Sequence, residues 1–139
     1  MARFLLDTNT ISEPMRPQPD VQVMAKLEEH QTELAIASVV WHELLFGVLR
    51  LPISKKRSAI EAYLFQVVAA TTTIAPYDAR AAECFARERA RLAAAGQTPS
   101  YPDGQIAAIA AVNDLTLVTR NISDFNAFQN IDIVKWHES

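Results

Sequence analysis

Five short runs rich in Ile, Leu, Val or Thr, each separated from the next by a helical pattern, constrain this 139-residue chain more than any other feature. The runs are Arg3–Leu6, Glu33–Ala37, Thr72–Ala75, Leu115–Thr119 and Ile131–Val134, with the length and composition of buried strands. Between them, Asp20–His30 lays Val23, Met24 and Leu27 on one stripe, and Ser38 is placed to cap Val39–Leu49. Ser54–Ala69 repeats Ile60, Tyr63, Leu64, Val67 and Val68 at helical spacing. Asp78 is placed to cap Ala79–Ala95, which ends at Gly96, and Ser100-Tyr101-Pro102 opens a last helix. Strands alternating with helices predict an α/β fold with a mainly parallel sheet.

The chain is long enough to bury a proper core, and no repeat, low-complexity tract or linker divides it, so residues 1–139 read as a single domain. A net charge of −3 excludes a generic polyanion binder. Its one cysteine, Cys84, excludes an internal disulfide and a cysteine-based zinc site, and is expected to be a small buried residue. The apolar start Phe4-Leu5-Leu6 is too short for a signal peptide, and nothing approaches a membrane span. A cytoplasmic protein without membrane contact is expected.

Within this layout the acidic residues stand out. Asp7 follows the apolar run Phe4-Leu5-Leu6, Glu43 sits within Val39–Phe46, Asp103 opens the stretch Ile106–Val112, and Asp124 lies just beyond the fourth run. Three or four positions from Glu43 lie Val39, Val40, Phe46 and Gly47, so its carboxylate points along an apolar helix face. A carboxylate there needs a cation or a donor, and no Lys or Arg is close in sequence. Taken singly, Asp7 could cap a short helix, Asp103 could serve the helix dipole, and Asp124 could be a turn residue. In parallel sheets, however, ligands gather beyond the carboxyl ends of the strands. Asp7 and Asp124 follow strands there, and Glu43 and Asp103 sit in helices that begin on the same side, so one crevice could receive all four. Oxygen donors without a histidine cluster suit Mg²⁺ or Mn²⁺ rather than zinc, since His30, His42 and His137 are scattered. Gly47, Gly96 and Gly104 are the only glycines, which excludes a glycine-rich phosphate loop.

The succession Phe4-Leu5-Leu6-Asp7-Thr8-Asn9, Val40-Trp41-His42-Glu43-Leu44-Leu45-Phe46-Gly47, Pro102-Asp103-Gly104-Gln105-Ile106-Ala107-Ala108 and Thr119-Arg120-Asn121-Ile122-Ser123-Asp124-Phe125 resembles the PIN-domain ribonucleases. It is most similar to VapC-type toxins of bacterial type II toxin–antitoxin pairs, in the FitB-like branch. The resemblance implies a PIN-like three-layer α/β/α sandwich with a mainly parallel central sheet of about five short strands. It implies a Mg²⁺- or Mn²⁺-dependent endoribonuclease in which Asp7, Glu43 and Asp103 match the three acidic metal positions. The fourth position, which varies in the family between an acid and Asn, is Asn121 here, with Asp124 supplying the following acid. Thr8, Asn9 and Ser12 match small polar residues that support the first acid.

The resemblance also implies a homodimer bound by a VapB/FitA-type antitoxin, in a heterotetramer or larger assembly that reaches promoter DNA only through the antitoxin. Arg50, Lys55, Lys56, Arg57 and Arg120 are candidate contacts to RNA or antitoxin. Because Asn121 is neutral, a catalytically degenerate PIN module acting only through antitoxin pairing and promoter regulation stays open. So does a metal-dependent DNA nuclease or phosphatase, which would use the same site chemistry.

Overall fold

Strands buried on both faces read as unbroken apolar runs, and β1 (Phe4–Leu6) and β2 (Leu34–Ala37) are buried at every position. With β3 (Thr73–Ala75), β4 (Thr116–Val118) and β5 (Ile133–Val134) they form one sheet in the order β3-β2-β1-β4-β5, all pairs parallel. The computed structural model describes residues 1–138. Helices α1 (Thr8–Ile11), α2 (Val21–Glu29), α3 (Ser38–Leu49), α4 (Lys55–Tyr63), α5 (Ala69–Thr71), α6 (Ala79–Ala94) and α7 (Tyr101–Val112) complete the expected three-layer α/β/α sandwich. Leu5, Leu6, Ile36 and Leu117 lie fully buried in the sheet, and Val40 and Ile109 carry the burial into α3 and α7.

The chain winds outward from β1 through β2 to β3, then returns to place β4 on the other side of β1. Leu6 is in register with Val118, so the two strands end together. This reversal of winding opens a crevice at their carboxyl ends, the usual ligand position in an open parallel sheet.

Asp78 caps α6 as expected, accepting from the Ala81 amide, and Asp20 caps α2 in the same way, accepting from the Val23 amide. Ser38 does not cap α3. It is already the first helical residue, and its hydroxyl accepts from the Tyr77 amide at 3.2 Å. The expected helix Ser54–Ala69 changes pitch: α4 passes through a π turn at Leu64–Val68 into α5. The wider turn keeps Leu64 and Val68 on one buried face and rotates Val67 off it. Val67, expected on the core stripe, is therefore 47% exposed. Met24 also leaves its stripe, and Cys84 is half-buried rather than buried. Among the described residues no helix is long and apolar enough to cross a membrane.

Candidate functional site

The first acid is held from both sides of the crevice. Asp7 follows β1 in extended backbone and caps α1, its Oδ1 accepting from the Thr8 amide at 2.8 Å. Its own amide donates to the Val118 carbonyl at 2.9 Å, tying it to the end of β4. The hydroxyl of Thr119, the residue after β4, donates to Asp7 Oδ2 at 3.0 Å.

Thr8 carries the link onward: its hydroxyl donates to Glu43 Oε2 at 2.9 Å. Glu43 projects from α3 between the buried Val40 and Leu44 turns and is half-buried itself. Asp103 stands in the first turn of α7, where its amide donates to the Ser100 hydroxyl at 3.3 Å. The next residue, Gly104, is buried against Phe85, so α7 approaches α6 closely beside the acid. Asp124 ends a short 3₁₀ turn, Ile122–Asp124, and is exposed.

The electrostatics join these residues. Burial pushes the Asp7 carboxyl above its ordinary value, and Glu43 and Asp124 push the same way against the pull of the Thr8 amide and Thr119 hydroxyl. Burial likewise raises Asp103, with Asp124 and Asp7 adding to it and the Ser100 hydroxyl opposing. Four carboxylates from four separate segments thus share one field, which a bound cation would relieve. Among the described residues no three His, Cys, Asp or Glu side chains stand close enough together to hold a metal ion between them. An open acidic cluster of this kind suits an ion that keeps waters and uses one or two protein carboxylates with substrate phosphate.

Asn121 is exposed, and it reaches the cluster through its backbone amide, which donates to the Thr119 hydroxyl at 3.1 Å. The Ser12 hydroxyl donates to the Thr8 carbonyl at 2.6 Å, closing α1 rather than touching Asp7, and Asn9 is exposed. Arg57 is engaged locally, by Glu61 at 2.7 Å and the Leu51 carbonyl at 2.9 Å. Arg50 lies over the exposed Phe46 ring, Lys55 and Lys56 are exposed on α4, and Arg120 is half-buried directly after Thr119. His42 is on the surface, stacked with Phe46. Sequence reasoning missed Thr119, whose place opposite Asp7 follows from strand register rather than any local signal. It also missed that His137 is buried against Glu13.

A sequence model of the PIN domain matches residues 4–130. The chain belongs to the PIN domain family. The matched span holds all the site residues above, from Asp7 to Asp124. This PIN domain is 34% identical over 138 residues to toxin FitB of Neisseria gonorrhoeae, covering 97% of this chain and 99% of that one. It is 32% identical over 134 residues to VapC ribonuclease Y4jK of Sinorhizobium fredii, covering 94% and 95% respectively. Among solved structures, DNA-bound VapBC from Salmonella typhimurium matches with a TM-score of 0.85 at 26% identity, over 98% of this chain and 99% of that chain.

Proposed function

We propose that this PIN domain is a metal-dependent endoribonuclease and the toxin of a toxin–antitoxin pair, with Mg²⁺ or Mn²⁺ as its cofactor. The observation that carries this is the link from Thr119 through Asp7 and Thr8 to Glu43, with Asp103 and Asp124 in the same field. Asp7, Glu43 and Asp103 would hold the ion, and Asp124 with Asn121 would complete the site. When bound, the ion supplies an activated water and neutralises charge developing on the phosphodiester. The chain's own part is to orient Asp7 through two donors, to hold Glu43 through Thr8, and to exclude bulk water from the inner carboxylates.

RNA as substrate is supported by the relative named a VapC ribonuclease. Arg50, Lys55, Lys56 and Arg120 would meet RNA or the antitoxin. A VapB/FitA-type antitoxin is supported by the likeness to VapBC, and its DNA-bound form supports promoter contact made by the complex. The net charge of −3 suits that division, with DNA read by the partner.

The exposed neutral Asn121 supports one rival, a module that pairs with antitoxin and cuts nothing. Purified chain freed of antitoxin should cleave RNA with Mn²⁺, lose cleavage in chelator, and lose it in Asp7→Asn and Asp103→Asn. Undiminished cleavage by either variant would overturn the assignment. Assays beside single-stranded DNA and a phosphomonoester decide substrate class.

A further inference from the structure

The deepest ionisable contact in the described residues lies outside the acidic cluster. Glu13 and His137 side chains are each 1% exposed and meet at 3.1 Å between Oε2 and Nε2. They are 124 positions apart in the chain, and His137 falls beyond the span matched by the PIN model. An acid so buried is tolerated only when its oxygens are engaged. Glu13 meets that condition: its Oε1 accepts from the Asp20 amide at 2.7 Å, and Arg16 stands 3.5 Å from Oε2. His137 Nδ1 and the hydroxyl of Thr10, on α1, are buried without a hydrogen-bond partner.

The residues beside His137 grip the same region. Trp136 meets Phe4 of β1 edge-on at 5.2 Å and stacks with His30 at 5.5 Å. The Glu138 amide donates to Asp20 Oδ2 at 3.1 Å. Segment 136–138 therefore holds the chain on both sides of Asp7, at Phe4 before it and at Glu13 just after α1. With four residues, α1 is too short to hold its own shape, so its placement depends on what fixes its ends. Asp7 fixes the front; Glu13 and a 2.7 Å bond from the Tyr63 hydroxyl to the Ile11 carbonyl fix the rear.

We propose that Trp136-His137-Glu138 is a clasp that positions the site: the Glu13–His137 contact locks the rear of α1 and so sets where Asp7 and Thr8 stand. Glu13 and His137 are positioning residues, and neither touches the acidic cluster. The consequence for catalysis rests on the nuclease assignment, whereas the consequence for α1 does not.

The test is amide hydrogen exchange at Thr10, Ile11 and Ser12, whose amides close α1 onto Asp7 and Thr8 carbonyls. Wild type, Glu13→Gln and His137→Ala are compared with Leu92→Ala, a core deletion on α6 that lowers global stability elsewhere. The expected result is at least about 10-fold faster exchange at the three amides in the clasp variants, with β4 amides following global stability alone. Should either single variant fold poorly, Glu13→Gln with His137→Gln keeps a neutral hydrogen-bonded pair and should restore protection. Exchange no faster than in Leu92→Ala, or a double variant no better protected than Glu13→Gln, would overturn the clasp. Calorimetry with Mn²⁺ gives a second readout, with affinity about 10-fold weaker in Glu13→Gln. If wild type binds no Mn²⁺ and cuts no RNA, the nuclease assignment fails while the exchange result still decides the clasp.

Discussion

The Thr119 hydroxyl donates to Asp7 Oδ2 at 3.0 Å, joining residues 112 positions apart where the winding of the sheet reverses. The same hydroxyl accepts from the Asn121 amide at 3.1 Å. One buried group therefore orients the first acid and shapes the segment that leads to Asp124. With Oδ1 engaged by the Thr8 amide, both Asp7 oxygens have a donor and keep further lone pairs facing the crevice.

Thr119→Val should leave the Asp7 carboxylate and the Asn121 amide each short of a partner. The expected cost is about 1–3 kcal/mol in urea unfolding, with RNA cleavage slowed about 10- to 100-fold. Thr119→Ser keeps the hydroxyl and should stay near wild type in both measurements. Equal behaviour of the Val and Ser variants would remove the hydroxyl from the account.

Asp7→Asn should trade activity for stability. The folded carboxyl titrates above its ordinary value of 3.8, so folding favours the protonated form. Its contribution to stability is fullest below pH 3.8 and is lost as pH rises through the folded value. Asn keeps the cap on α1 and stays neutral. In chelator near pH 7 the variant should melt higher than wild type, with the gap closing in acid, while cleavage falls at least about 100-fold, beyond what losing a supporting partner costs. A lower melting temperature at pH 7 would contradict the sign.

Gly104→Ala should damage the α6–α7 contact beside Asp103. A Cβ there would collide with the Phe85 ring, which is buried and packed edge-on against Tyr101. Overpacking of this kind costs about 1–3 kcal/mol, and the shift of α7 should also lower cleavage. Phe85→Leu in the same chain should recover part of both, as read by calorimetric melting and cleavage rate.

Arg57 and its lysine neighbours should separate in salt titrations of RNA binding. Removing Lys55 and Lys56 should lower the slope of log affinity against log salt by about 0.7 for each phosphate they neutralise. Arg57→Ala should leave the slope unchanged and cost up to about 1 kcal/mol of stability, because its guanidinium is spent on Glu61 and the Leu51 carbonyl. A reduced slope for Arg57→Ala would place it on the RNA instead.

Much of this was legible in the residues themselves. Phe4-Leu5-Leu6 followed by Asp7 states a doubly buried strand and an acid at its carboxyl end, because a two-residue side-chain period and desolvation both act locally. Helical spacing alone likewise places Glu43 beside Val39 and the buried Val40, whereas Phe46, expected on the same face, is exposed. The rotation of Val67 was not legible, since a π turn costs local geometry that only packing of Leu64 and Val68 repays.

The alternation of strands and helices, the parallel α/β class and the acids at element ends follow from residues a few positions apart, because propensity, periodicity and capping act over that range. Three other contacts arise only in the folded chain: Thr119 faces Asp7, Thr8 reaches Glu43 and His137 closes on Glu13. Those contacts span 35 to 124 positions. They exist only once strand register and sheet order bring distant segments together, and no local pattern encodes them.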